Sequence, residues 1–156
     1  MKSGRLRSVV IVATVSIITI VRGQSASNPS SIEMKKPLVI RFVSGGPTVT
    51  ATLEDNATAR AFFSMLPLVV ELEDYARTER VCDLPKRLPT DGAPAGYEAK
   101  AGDLTYYAPW GNFAAFYQDF HYASGLVHLG SIDGDGEALL SLGLGEVRIE
   151  AVESSQ

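Results

Sequence analysis

Few residues of this chain belong to the types that build disulfide frameworks or metal sites. Its 156 residues include one cysteine, two histidines and one tryptophan. A single cysteine, Cys82, excludes an intrachain disulfide, and its apolar neighbours Val81 and Leu84 favour a buried thiol within a strand. His121 and His128 are seven residues apart and lack acidic ligands at a suitable spacing. We therefore expect neither a bound metal nor a cofactor.

Basic residues are also scarce once the N-terminal segment is set apart. Residues 1–23 contain four basic residues and no acidic ones, which leaves 10 basic and 18 acidic residues in the remainder. The formal net charge then changes from −4 to −8, and no cluster of lysine and arginine offsets it. Because an acidic protein repels phosphate backbones, we expect no nucleic acid among its partners.

The first 23 residues have the order of a secretory signal peptide. Lys2, Arg5 and Arg7 precede an apolar run over residues 8–21, and small and polar residues follow it. This run of about 14 residues is shorter than the roughly 20 that a membrane-spanning helix needs. We predict a cleaved signal peptide at residues 1–23 and a periplasmic or secreted protein, for which the membrane matters only during export. An uncleaved membrane anchor is the alternative.

Strand patterns dominate the chain after a Ser- and Pro-rich linker at residues 24–36, and they predict a single domain over residues 37–153. Helices are predicted at 57–66, with Asp55 or Asn56 as its cap, and at 137–142. The eight predicted strands are 38–43, 48–53, 68–73, 79–83, 104–107, 113–117, 127–132 and 146–152. An open sheet of these strands would expose its edges. We therefore predict a mainly β fold, a closed eight-stranded antiparallel barrel with two short capping helices.

Residues 102–117 contain most of the candidate ligand-binding residues. Alternate residues of a strand face opposite sides, so about half of the aromatic rings in this segment belong to the core. Trp110 and Asn112 lie in the loop between two strands, where they contact a ligand or, alternatively, pack the loop and bond its backbone. Tyr107, Phe116 and Arg60 complete the candidate set. Arg60, one turn into the first helix, reaches the barrel mouth or lies in solvent.

Short strings spread over residues 38–152 occur in a combination that resembles one family. They are Ala-Thr-Leu-Glu-Asp-Asn-Ala-Thr-Ala at 51–59, Asp-Leu-Pro at 83–85, Gly-Asp at 102–103, Tyr-Tyr-Ala-Pro-Trp-Gly-Asn at 106–112, Phe-Tyr at 116–117, Gly-Leu at 125–126 and Leu-Gly-Ser-Ile-Asp at 129–133. Together they are similar to the bacterial cyclophilin-like proteins, small barrels with no established common activity. The resemblance implies a cyclophilin-like barrel and leaves the activity open.

A more distant resemblance connects the chain to the true cyclophilins, which are peptidyl-prolyl isomerases. Their catalytic strand carries Phe-His-Arg followed by a Gln-Gly-Gly-Asp string, whereas residues 79–85 here read Glu-Arg-Val-Cys-Asp-Leu-Pro. The arginine matters because a guanidinium that donates to the prolyl nitrogen stabilises the twisted transition state. We therefore assign no catalytic residue. Arg80 lies close to the equivalent strand and is kept as a candidate for a catalytic arginine in a displaced position.

Two functional hypotheses from different classes follow from these patterns. In the first, the protein is an exported binding module whose groove holds a peptide or a small molecule. In the second, it is a divergent or weak peptidyl-prolyl isomerase that acts on exported proteins. A structural domain without a ligand is a third possibility.

Overall fold

A computed structural model describes residues 36–152 of the chain. The elements are β1 Leu38–Val43, β2 Val49–Leu53, α1 Ala57–Phe63, β3 Leu68–Tyr75, β4 Glu79–Asp83, β5 Gly96–Tyr97, β6 Asp103–Tyr107, β7 Asn112–Phe116, β8 Ala123–Ser124, β9 Leu126–Ile132, α2 Ala138–Ser141 and β10 Gly145–Ala151. The predicted signal peptide, and all but the last residue of the predicted linker, lie outside the described residues. Both stay predictions.

Eight of the strands close into an antiparallel barrel with the order β1-β10-β3-β4-β7-β6-β9-β2. β1 completes the circle because Ile40 faces Ala151 of β10 on one side and Ala51 of β2 on the other. Closure pairs both edges of every barrel strand in residues 36–152. The predicted mainly β fold, a closed eight-stranded antiparallel barrel with two helices, is confirmed.

Alternate residues of each strand fill the barrel interior. Phe42, Leu104, Tyr106 and Phe113 are all buried there and belong to one apolar core. The residues between them face outward, as the two-residue period of a strand requires. On the outer side of β7, Phe116 belongs to a second, smaller apolar cluster. The aromatic residues of the β6–β7 hairpin are thus divided between the two faces of the barrel wall.

Helix α1 follows β2 and begins at an asparagine cap. The Asn56 Oδ1 accepts a hydrogen bond of 2.8 Å from the backbone N–H of Ala59, which satisfies one of the free donors of the first turn. The helix ends at Phe63, three residues earlier than predicted, because the next amides form i→i+3 bonds instead, such as Met65 N–H to the Phe62 carbonyl. Within residues 36–152, neither helix is long and apolar enough to cross a membrane.

A second sheet, which the sequence analysis did not predict, consists of the two-residue strands β5 and β8. Gly96 pairs with Ser124, and Tyr97 pairs with Ala123. The glycine is required there, since a Cβ on Gly96 would lie 2.4 Å from the Ala123 carbonyl oxygen and 2.6 Å from the ring of Tyr122. This sheet holds residues 117–124 against the segment before β6 and so shapes the outer surface of the barrel.

Candidate functional site

A groove of about 380 Å³ lies on the outer face of the barrel, beside β4, β6 and β7. We call it the aromatic groove. Its lining residues are Tyr75, Glu79, Tyr107, Trp110, Asn112, Ala114, Phe116, Phe120, His121, Tyr122, Ala123, Ser124 and Leu126. A wider depression of about 590 Å³ beside β3 and β4 has no aromatic residue in its lining. The aromatic groove is the candidate site because it brings together most of the residues that were predicted from the sequence to bind a ligand.

The floor of the aromatic groove comes from the outward-facing residues of β7. Asn112, Ala114 and Phe116 line the groove, whereas Phe113 and Ala115 between them belong to the barrel core. Tyr107 of β6 is the register partner of Asn112 and lines the groove beside it. Asn112 is the first residue of β7 and is buried, so its predicted place in the loop is wrong by one residue.

Trp110 stands at the rim of the groove on the tight loop between β6 and β7. The loop closes through a 2.8 Å hydrogen bond from the Gly111 N–H to the Tyr107 carbonyl, and the Arg87 guanidinium donates to the Ala108 carbonyl at 2.7 Å. Gly111 has a φ of 81°, a conformation in which residues with a side chain are strained. These bonds hold the loop so that the indole of Trp110 remains 58% exposed at the groove.

The aromatic rings of the groove contact one another in two groups. The Trp110 ring meets Tyr75 and Tyr107 edge-on, with ring centroids 5.6 Å and 5.4 Å apart. In the second group, Phe120 packs against Phe116 with centroids 5.4 Å apart. The Phe120 N–H also donates to the backbone carbonyl of residue 99, which fixes Phe120 to the segment before β6. The lining of the groove is therefore rich in aromatic rings.

Among residues 36–152, Glu79 is the only acidic residue in the lining of the groove. It is the first residue of β4 and lies opposite Phe116 of β7 and Tyr75 of β3. Within residues 36–152 its carboxyl group forms no hydrogen bond and no ion pair. Burial raises its pKa from 4.5 to about 7, because the charged form loses water without gaining a partner.

Asn112 contributes a second polar group without a partner. The residue is 7% exposed, and its Oδ1 atom is buried with no hydrogen-bond donor among residues 36–152. Buried polar side-chain atoms are almost always hydrogen-bonded in folded proteins, so each exception calls for a physical explanation. Both unpartnered groups of the groove, the Glu79 carboxylate and the Asn112 carbonyl oxygen, are hydrogen-bond acceptors.

A sequence profile described as that of the cyclophilin-like family matches residues 42–150, which is more than half of the chain. The chain belongs to the cyclophilin-like family. No curated protein matches it significantly. The profile covers all of the strands that carry groove residues, so the aromatic groove is part of the cyclophilin-like domain itself.

The cyclophilin-like domain brings together four of the five nominated residues, Tyr107, Trp110, Asn112 and Phe116, on the aromatic groove. Arg60 is not among them. Its guanidinium, on the exposed side of α1, is ion-paired with the Asp55 carboxylate and also donates to the Asp55 carbonyl at 3.1 Å. Arg60 was predicted either at the barrel mouth or on the solvated surface of the helix. It lies on the solvated surface of the helix.

Arg80, the displaced arginine of the isomerase hypothesis, does not line the groove of this cyclophilin-like domain either. It is 8% exposed and donates to the Asp74 carboxylate at 2.9 Å. Its guanidinium lies 5.4 Å from the centre of the Tyr117 ring, and the Tyr117 hydroxyl donates to the same carboxylate at 2.7 Å. Arg80 is thus held by a local network, and the described lining of the groove contains neither lysine nor arginine.

Several lining residues, most importantly Glu79 and Tyr75, were not predicted from the sequence. The alternation in β4 was a usable signal, since Arg80 and Cys82 belong to one face of the strand and Glu79 to the other. Which face borders the groove depends on the pairing of β4 with β7, and a single sequence does not reveal that register. Tyr75 lies beyond the predicted end of its strand, so it was assigned to a turn.

A separate polar cluster surrounds Asp103, on the first residue of β6. Its carboxylate accepts hydrogen bonds from the Tyr97 hydroxyl at 2.9 Å, the Lys100 N–H at 2.8 Å and the Ser131 hydroxyl at 3.0 Å. The Nε2 atom of His128 lies 3.4 Å from the same carboxylate. Burial by itself raises the pKa of Asp103, but the hydrogen bonds from His128, Lys100, Tyr97 and Ser131 outweigh burial and lower it.

The Asp103 cluster contains a serine, a histidine and an aspartate, but their arrangement differs from that of a hydrolase triad. In a triad the serine donates to one histidine nitrogen and the aspartate accepts from the other. Here the hydroxyl of Ser131 donates to Asp103, and both groups face the same Nε2 atom of His128. The cluster ties β6 to β9 and is structural. Within residues 36–152, no group of three or more His, Cys, Asp or Glu side chains is placed to hold a metal ion.

Proposed function

We propose that this cyclophilin-like protein is an exported binding module that holds a peptide or a small organic molecule in the aromatic groove. One observation carries the proposal. Tyr107, Trp110, Asn112 and Phe116, nominated from the sequence alone, line a single groove on a rigid barrel wall. Export rests on the signal-peptide order of residues 1–23, and we place the protein in the periplasm or outside the cell.

The size and surface of the groove support a binding role. Ligand sites are typically clefts of about 300 to 1,000 Å³ with apolar and aromatic linings and a few polar groups, and the aromatic groove has about 380 Å³. Tyr75, Trp110 and Tyr122 are 45%, 58% and 56% exposed at its rim. Aromatic rings that are left exposed side by side are typical of surfaces that another molecule covers.

The isomerase hypothesis has no comparable support. Prolyl isomerisation in the true cyclophilins depends on a guanidinium beside the bound proline, and the described lining of the groove has none. Arg80 is engaged with Asp74 and Tyr117, and Arg60 is engaged with Asp55. The binding module is therefore the function that the geometry favours.

The test uses Trp110, the only tryptophan, as an intrinsic reporter of the groove. The purified mature protein is titrated with panels of tetrapeptides and metabolites, and tryptophan emission and thermal unfolding are recorded. We expect a saturable emission change and a higher unfolding temperature with at least one class of ligand.

Two variants with comparable exposure provide the comparison. Tyr75→Ala removes a ring that contacts Trp110, and we expect it to weaken binding at least about fivefold. Leu144→Ala removes an exposed apolar side chain outside the groove and is expected to leave binding unchanged. A flat response of both readouts across both panels would contradict the proposed function.

A further inference from the structure

The charge of the aromatic groove is negative. Its described lining contains one carboxylate, Glu79, and no lysine or arginine. Glu79 has neither an ion pair nor a hydrogen bond within residues 36–152, and burial keeps its pKa at about 7. A bound cation would supply the missing partner and would stabilise the charged carboxylate. An anionic ligand would meet repulsion from Glu79 and no lysine or arginine in the described lining.

The walls of the groove also favour a cation. The faces of aromatic rings carry negative electrostatic potential and attract ammonium and guanidinium groups. Tyr75 is the register partner of Glu79 and contacts Trp110, so an aromatic pair stands beside the carboxylate. Phe116 faces Glu79 from β7 on the other side. A cation beside Glu79 would therefore lie among rings as well as beside an acid.

The extent of the groove along the β4–β7 ladder sets the length of the ligand. Asn112 lines the groove and lies opposite Asp83, four positions along this ladder from the Glu79–Phe116 pair. Four residues of a strand span about 13 Å. One small cation beside Glu79 does not cover this distance. An extended chain of about four residues does, with a basic side chain at its Glu79 end.

We propose that the aromatic groove receives an extended peptide whose lysine or arginine side chain lies between the aromatic rings and the Glu79 carboxylate, while the rest of the peptide extends along the groove toward Asn112. This inference rests on the proposed function and specifies its ligand. The half-exposed rings of Tyr75, Trp110 and Tyr122 leave the groove open on one side, which suits a side chain presented by a longer chain.

The experiment compares matched peptides at pH 8, where Glu79 is ionised. Acetylated and amidated tetrapeptides carry arginine or citrulline at one position, a pair that differs in charge but not in shape. Butylguanidine provides the guanidinium without the peptide. Binding is followed by Trp110 emission for the wild type, for Glu79→Gln and for Glu146→Gln. Glu146 is exposed on β10 and lies outside the groove. Glu146→Gln therefore has the same net charge as Glu79→Gln but leaves the groove unchanged.

For the wild type and for Glu146→Gln, we expect the arginine peptide to bind about tenfold or more tightly than the citrulline peptide. Glu79→Gln should bind both peptides equally, and butylguanidine should bind the wild type more weakly than the arginine peptide. The comparison of the two peptides needs no variant, so the test does not depend on how well Glu79→Gln folds.

Three results would show which part of the proposal is wrong: the basic side chain, the peptide or the binding function itself. Equal binding of arginine and citrulline peptides by the wild type would overturn the assignment of a basic side chain and leave the proposed function standing. Butylguanidine that binds as tightly as the arginine peptide would overturn the assignment of a peptide. If no tetrapeptide or metabolite of any charge changes the emission of Trp110 or the unfolding temperature, the proposed function itself fails.

Discussion

Glu79 lies directly opposite Phe116 in the β4–β7 ladder, so a carboxyl group without a partner in residues 36–152 stands beside a ring that is 1% exposed. Most solvent-facing acids of a barrel are surrounded by water and have ordinary pKa values. The position of Glu79 has consequences for stability as well as for ligand binding, and these can be measured separately.

The pKa of Glu79 is raised from 4.5 to about 7 by burial, so between these pH values the folded protein retains a proton that the unfolded chain has lost. The free energy of unfolding therefore falls as the pH rises from about 4.5 to about 7. Glu79→Gln removes this charge. At pH 8 we expect the variant to be about 1 to 2 kcal/mol more stable than the wild type, with allowance for the part of the side chain that remains in water.

Chemical denaturation at pH 4 and pH 8 checks this prediction. The gain in stability should be absent at pH 4, where Glu79 is protonated in both the folded and the unfolded states. Glu146→Gln, at an exposed position, should change little at either pH. A Glu79→Gln variant with the same gain at both pH values would show that shape, and not charge, is responsible.

The contribution of Asp103 to the free energy of unfolding is predicted to depend on pH in the opposite direction from that of Glu79. Its folded pKa is lowered from 3.8, so the stability that its hydrogen bonds provide is fully present above pH 3.8 and is lost as the pH falls through the lower folded value. Asp103→Asn should lower the free energy of unfolding by about 2 kcal/mol at pH 7. Tyr97→Phe, which removes one of the donors, should cost less.

Denaturation curves of these variants between pH 2 and pH 7 provide the measurement. The difference between the wild type and Asp103→Asn should shrink in acid, where the wild-type carboxylate becomes protonated. A difference that stays constant over this pH range would rule out the ionised carboxylate as its source.

Asn56 connects α1 to the barrel through both ends of its amide group. Its Oδ1 accepts from the Ala59 N–H at 2.8 Å, and its Nδ2 donates to the His128 carbonyl at 2.9 Å. Asn56→Ala removes both bonds and should lower stability by about 1 to 2 kcal/mol. Asn56→Asp keeps the acceptor of the cap but loses the donor to β9, so we expect an intermediate stability. Equal stabilities of all three proteins by thermal denaturation would contradict the assigned roles.

We expect no acceleration of prolyl isomerisation by this protein. Arg80 donates to Asp74 inside a local network, and Arg60 lies on the exposed side of α1, so neither guanidinium is available to a proline in the groove. In a protease-coupled assay with proline peptides, the wild type, Arg60→Ala and Arg80→Ala should all match the uncatalysed rate. A clear wild-type rate that either substitution abolishes would restore the isomerase hypothesis.

Much of the fold could be predicted because it depends on local patterns. The bounds of β1 and β4 agree with the predicted strands, and Asn56 was one of two predicted caps for α1. The strands β5 and β8 could not be predicted, since two residues are too few to show an alternation. Their pairing depends on contact between Gly96 and residues 122–124, which are distant in sequence.

The candidate site was predictable where it follows from strand alternation and not where it depends on tertiary pairing. Tyr107, Trp110 and Phe116 were nominated from one continuous segment, and all three line the groove. Glu79 was not nominated, because its place in the groove depends on the register of β4 with β7. The position of Arg60 depends on its ion pair with Asp55, and sequence spacing alone left both of its alternatives open.

Amide chemical-shift mapping shows whether the aromatic groove is a binding site. Isotope-labelled mature protein is titrated with the arginine tetrapeptide. We expect the shifts of the Trp110 indole and of the Tyr107, Asn112 and Phe116 amides to change together and saturate, while the amide of Arg60 stays unchanged. Changes confined to surfaces outside the groove, or no changes at all, would contradict this expectation.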